Sequence, residues 1–203
     1  MPNRAPANNA YLARLQESKL GSFFTPSQLK DIGIGYEGLR SLLDERILIR
    51  EARGLYAFAE SDITEFHSLA AVCARAPRSV FCLITALQVH DIGTQTSPAV
   101  WLAIPKGSKP PKIETVAIRI VEFAGSAWKY GVVERTFEGV PARITNPART
   151  VLDCFRFERL IGREAALEAL RDGLRQKKVT VDSLYRAMEV LPSRGLAAAL
   201  EHL

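Results

Sequence analysis

No hydrophobic run in this 203-residue chain reaches the roughly 18 residues that a membrane-spanning helix needs. The first nine residues are polar and contain two prolines, without the apolar segment of a secretory signal. A cytoplasmic protein with no membrane partner is expected. Cysteine is scarce and odd in number. Cys73, Cys82 and Cys154 are widely spaced and form no C-x-x-C, which argues against a disulfide framework. His67, His90 and His202 complete no zinc spacing with them. No metal site is expected, and the thiols read as small packed hydrophobes.

The signatures of common enzymes are missing too. There is no G-x-S-x-G and no P-loop. Gly107-Ser108 is not followed by the D-x-D carboxylates with which a nucleotidyltransferase holds Mg²⁺. The Pro-Asp…Glu-x-Lys order of many nucleases is lacking as well. Asp153 lies in an apolar helical stretch and reads as a structural carboxylate. Gly33, Gly35 and Gly38 match G-x-G-x-x-G, but a dinucleotide site needs a strand before the first glycine. Here a helix precedes it, so the glycines read as a tight turn between helices. No enzyme and no cofactor are expected.

What the chain does have is a core-forming composition, 47% hydrophobic, and a net charge of +5. The charge is compatible with nucleic acid but is not concentrated where the motifs lie. Residues 1–60 carry eight Lys/Arg and seven Asp/Glu, and residues 61–203 carry nineteen and fifteen. Pattern, not bulk charge, must locate any DNA-binding surface.

Along the chain, Leu12, Leu15 and Leu20 suggest a first helix over residues 10–20. Thr25, Pro26 and Gln28 form a capping box with proline at the first helical position, and Phe24 and Leu29 are placed to staple it. A third helix is predicted over residues 36–46, with Leu39, Leu42 and Leu43 on one face. Residues 47–50 and 55–58 read as two strands around a connection closed by Gly54. This order predicts a winged helix-turn-helix over residues 1–60. Beyond it, residues 63–76 and 79–90 read as helices. Strands are expected at 100–104, 117–123, 131–137 and 140–144. Helices return at Asn146-Pro147 and continue through 165–178, 183–191 and 195–203. The fold class predicted is α+β: the winged helix, then a mixed domain over 61–203 with a small sheet flanked by helices.

The third helix is the recognition candidate, because in this arrangement its first half enters the major groove. Tyr36, Arg40 and Ser41 are the side chains expected to reach bases or phosphates. Thr25, Ser27 and Gln28 open the preceding helix, which crosses the backbone, and Arg50 and Arg53 lie at the wing. Glu37, Asp44 and Glu45 oppose phosphate contact on the same helix. A winged helix used for protein contact is the competing reading. A secondary basic patch is expected from Lys106, Lys109 and Lys112, and from Arg171, Arg175 and Lys178 on one helical face. The alternative is an ordinary solvated face.

Taken together, several stretches resemble the AbiEi family, antitoxins of bacterial type IV toxin–antitoxin systems. They are residues 24–29, Leu39-Arg40, Gly54-Leu55-Tyr56, residues 69–77, Ala86-Leu87 with His90, Val100-Trp101 with Ile104-Pro105, and residues 146–153. The resemblance covers nearly the whole chain. It implies a winged-helix repressor that binds double-stranded DNA at its own promoter region. It also implies a C-terminal domain that counters a nucleotidyltransferase toxin, often without a stable complex. A stand-alone regulator, whose C-terminal domain mediates ligand or protein contacts, is the alternative.

Overall fold

The computed structural model describes residues 5–60, 64–114 and 116–202. The expected junction between residues 60 and 61 borders residues 61–63, which lie outside the described residues, as does the expected start of a helix at residue 63. The chain divides into two compact units. The first is Met1–Pro77 with Pro111–Thr115 and Thr136–Ala142; the second is Arg78–Pro110, Val116–Arg135 and Arg143–Leu203.

The first unit runs α1 (Ala5–Glu17), β1 (Phe23–Phe24), α2 (Pro26–Asp31), α3 (Tyr36–Asp44), β2 (Leu48–Ala52), β3 (Leu55–Phe58) and α4 (His67–Arg75). The capping box forms as its residues dictate. Thr25 Oγ1 accepts from the Gln28 amide, and Gln28 Oε1 accepts from the Thr25 amide at 2.9 Å. Phe23-Phe24 is not only a staple for α2. It is a short strand pairing antiparallel with β3, giving a three-stranded sheet in the order β1-β3-β2. Leu15, Phe24, Leu29, Ile34, Leu39, Leu42 and Leu48 make one buried cluster between the helices and this sheet. The leucine spacing of α3 predicted that face, and α3 accordingly buries Gly38, Leu39 and Leu42. A Cβ on Gly38 would sit 3.0 Å from the Tyr11 ring, so a larger residue there would have to push that ring aside.

α4 belongs to the first unit. It buries Leu69, Ala70, Ala71, Val72 and Cys73 and packs on β1 and β3. In the same unit, the turn at Glu138-Gly139 holds both residues at positive φ. Its Glu138 carbonyl accepts from the Ser22 amide and hydroxyl at 2.8 and 3.0 Å. The Glu138 carboxylate accepts from the Thr64 amide and hydroxyl and pairs with His67 Nδ1 at 3.0 Å.

The remaining elements are β4 (Val80–Phe81), α5 (Leu83–His90), β5 (Val100–Pro105), β6 (Ile118–Phe123), a 3-10 turn (Gly125–Trp128), β7 (Val132–Phe137), β8 (Val140–Thr145), α6 (Pro147–Arg156), α7 (Glu158–Ile161), α8 (Arg163–Arg175), α9 (Val181–Val190) and α10 (Arg194–Glu201). The mixed sheet has the order β6-β5-β4-β8-β7. β4 pairs antiparallel with β5 and parallel with β8, and β5 runs parallel to β6. Helices and two sheets make the fold α+β. The helix expected over residues 79–90 begins only at Leu83, because Val80-Phe81 is taken into the centre of this sheet. Cys82 therefore lies just ahead of α5, not inside it. Val80, Cys82, Trp101, Ala103, Val121 and Phe123 form a buried core with residues of α5, α6, α8, α9 and α10.

Candidate functional site

Each residue singled out from the sequence in the first unit has a definite place. Gly33 sits at φ +78°, ending the turn that follows α2, and its carbonyl accepts from Arg14 Nη1 at 2.7 Å. This left-handed backbone angle accounts for glycine at the turn. Tyr36 opens α3 with 79% of its surface exposed. Arg40 is exposed one turn later, and Ser41 beside it is half-buried. Glu37 is exposed on the first turn, and Asp44 and Glu45 are exposed at the end of the helix. Ser27 is exposed on α2, whereas the side chains of Thr25 and Gln28 are engaged with each other in the cap. Their first task is to close the helix.

The hairpin is tighter than its sequence suggests. β2 extends through Ala52, which pairs with Leu55, so only Arg53 and Gly54 bridge the strands. A register irregularity lies between Arg50 and Ala52. Both arginine side chains are exposed, and Arg50 Nε bonds the Ala52 carbonyl at 3.4 Å. Sequence reasoning missed Arg75, whose Nη1 donates to the Arg53 carbonyl at 2.7 Å. No local signal marks it, because its partner is 22 residues away.

The secondary basic residues divide differently from the sequence reading. Lys106 and Lys109 follow β5, exposed, in the second unit, while Lys112 is exposed in the first. α8 closes at Arg175 and the chain turns at Lys177, φ +57°. Lys178 therefore lies beyond the helix and shares no helical face with Arg171 and Arg175. Its ammonium donates to the Asp91 carbonyl at 2.5 Å and to the Asp91 carboxylate at 3.1 Å. Arg175 pairs with Asp172. Arg171 and Arg175 line a shallow groove of about 310 Å³ with Glu164, Glu168 and Asp172, so the surface there carries both signs. Glu168 and Asp172 also accept from the amides of Thr94 and Gly93, which fastens the loop after α5.

Residues 146–153 form a buried knot in the second unit. Asn146 caps α6 by accepting from the Arg149 amide at 2.9 Å. Arg149 is fully buried. Its Nε donates to Asp153 Oδ2, while Nη1 and Nη2 donate to the carbonyls of Tyr130 and Ala127. Its guanidinium lies 4.6 Å from the Phe123 ring centroid. Burial pushes the Asp153 carboxyl above its ordinary range, against the downward pull of Arg149 and Arg156. Every donor and acceptor of this pair faces the protein, so the arrangement is architectural.

The three cysteines are free and buried. Burial pushes the Cys73 thiol up to about 12 and the Cys82 and Cys154 thiols well above their ordinary value. Among the described residues, no group of three or more His, Cys, Asp and Glu side chains is placed to hold a metal ion. Among the same residues, no helix is long and apolar enough to cross a membrane.

No family model matches the sequence, and no curated protein matches it. Among solved structures, the chain is similar to a crystal structure of the RV2827C protein from Mycobacterium tuberculosis. The TM-score is 0.57 at 15% identity, over 95% of this chain and 74% of that one. At that identity the likeness is one of fold.

Proposed function

We propose that the first unit binds double-stranded DNA as a winged helix-turn-helix. In this reading α2 and α3 are the helix pair, α3 is the recognition helix, and the β2–β3 hairpin is the wing. The observation that carries it is the make-up of α3. Leu39 and Leu42 are buried, while Tyr36 and Arg40 stand free on the first turns, where a recognition helix meets base edges. The hairpin adds Arg50, on β2, and Arg53, at its tip, as backbone contacts. Glu37, Asp44 and Glu45 restrict where phosphates are tolerated, which makes Arg40 the decisive residue.

The biological role proposed is a transcriptional autorepressor and antitoxin, acting at its own promoter region and countering a nucleotidyltransferase-type toxin. It rests on the AbiEi resemblance of residues 24–29 and 146–153. The protein would act without catalysis or cofactor, and in the cytoplasm.

A salt-titrated binding assay on the fragment upstream of the gene tests the DNA reading. Arg40→Ala is expected to weaken binding about tenfold or more and to relax specificity at one position if Arg40 reads a base. Wild-type binding no tighter to that fragment than to random duplex would overturn the repressor role. Equal binding by a chain lacking residues 1–60 would overturn the assignment of the recognition helix. Co-expression with a nucleotidyltransferase encoded beside the gene tests the antitoxin role. Growth that is no better with the protein than without it would leave the stand-alone regulator.

A further inference from the structure

We propose that Arg75, on the last turn of α4, is a positioning residue of the DNA-binding surface, so that this surface depends on residues past the hairpin. The inference rests on the DNA-binding reading above.

Two-residue hairpin loops that match the twist of their strands place the first bridging residue at positive φ. Here only the second, Gly54, does so, at +71°. The register irregularity between Arg50 and Ala52 loosens the ladder just before the tip. Such a turn follows the strand twist less closely than the mirror-image types do. It receives a contact from outside the hairpin, the Arg75 guanidinium, whose Nη1 donates to the Arg53 carbonyl at 2.7 Å. The same nitrogen would lie 3.5 Å from a Cβ built on Gly54, so the clamp covers both bridging residues. The bond is charge-assisted, though open to solvent, which screens it. Its base is rigid, because α4 buries Leu69 through Cys73 and packs on β1 and β3.

Fixing the peptide that follows Arg53 fixes the direction in which the exposed Arg53 side chain leaves the wing. Arg75 therefore acts through Arg53. The turn before α3 is built alike: Arg14, on α1, holds the Gly33 carbonyl at 2.7 Å. Both turns of the candidate surface are clamped by an arginine from a flanking helix.

The test is a double-mutant cycle in the full-length chain, read as salt-titrated affinity for the upstream fragment. Arg53→Ala is expected to weaken binding about 3- to 10-fold and to make the salt dependence shallower by about one unit. Arg75→Ala is expected to do the same, and the double variant to bind no worse than Arg53→Ala. Arg75→Lys, which keeps one donor for the carbonyl, is expected to restore most of the loss. Additive losses would mean that Arg75 meets phosphate itself, and unchanged affinity in Arg75→Ala would mean that it positions nothing; either overturns the proposal. Amide exchange at Gly54 gives a readout independent of DNA. It is expected to quicken in Arg75→Ala while Leu39 and Leu42 stay protected, and equal protection at the tip would sink the clamp. Failure of the wild type to bind DNA is read in its own arm and defeats the underlying reading together with this one.

Discussion

Arg149 and Asp153 form an ion pair closed off from solvent. Nε donates to Oδ2 at 2.7 Å, one helical turn apart on α6, and neither side chain has exposed surface. Such a pair is costly to break and need not be stabilising in itself, because two charges were taken out of water to make it.

Removing one partner leaves the other charge buried and unpaired. Asp153→Ala is therefore expected to cost about 3–5 kcal/mol, measured by urea unfolding. Replacing both partners with apolar side chains is often harmless at buried pairs, but here Arg149 also donates to the carbonyls of Ala127 and Tyr130. The double variant Arg149→Met/Asp153→Leu is expected to stay less stable than wild type, since both carbonyls lose their donor. Full recovery in the double variant would show that these two bonds contribute nothing.

His90 predicts a pH dependence of stability. Burial pulls its pKa below the ordinary imidazole value, aided by the nearby charges of Arg135 and Lys178 and opposed by its bond to the Thr145 carbonyl. The folded state thus prefers the neutral ring, and the unfolded chain takes up the proton first. Stability from this group is present above about pH 6.5 and is lost as pH falls through the lowered pKa. Glu138, Glu168 and Asp172 are also held below their ordinary range. Their contribution is lost only under more acid conditions, whereas the raised Asp153 carboxyl acts in the opposite sense, so the comparison with a His90 variant, not the wild-type curve alone, isolates the histidine. Between about pH 6.5 and 5, urea midpoints of the wild type are expected to drop more than those of His90→Gln. Parallel curves would refute the assignment.

Two glycines are expected to respond to alanine with opposite signs. A Cβ on Gly21 would lie 2.4 Å from the backbone of Gly139 and Val140, and neither can move without shifting the Glu138-Gly139 turn. Gly21→Ala is expected to destabilise by about 1–3 kcal/mol. Gly195 lies on the first turn of α10, and its nearest neighbour would be 3.6 Å from the new Cβ. Gly195→Ala is expected to stabilise by up to about 1 kcal/mol through helix propensity. Chemical denaturation of both variants decides, and a loss at Gly195 would show contacts tighter than these distances.

How much of this was legible in the sequence depended on the range of the interaction. The helix starts at Pro26 and Pro147 were readable because Thr25, Gln28 and Asn146 complete their caps within four residues. The buried face of α3 was readable from the spacing of Leu39 and Leu42. Both follow from backbone geometry that every helix shares. The exposure of Arg40 follows from the same helical periodicity, whereas Arg50 is exposed two residues from the buried Leu48, against strand alternation.

Tertiary structure decided what had no local cause. Val80-Phe81 reads as helix by composition, yet it is a strand because β5 and β8 offer its amides and carbonyls partners from distant sequence. Phe23-Phe24 becomes a strand for the same reason, on β3. Lys178 leaves the face of α8 because the helix stops at Arg175 and Asp91, 87 residues away, receives its ammonium. Arg149 and Asp153 are spaced like a surface pair and are buried only because Ala127, Tyr130 and Phe123 close over them. Arg75 carries no local mark, and its place beside the β2–β3 hairpin exists only because α4 packs back on β1 and β3. Caps and periodicity act through a few bonds of chain and are written in adjacent residues. Strand pairing, burial of charge and clamping of a turn require partners that only the folded chain brings together.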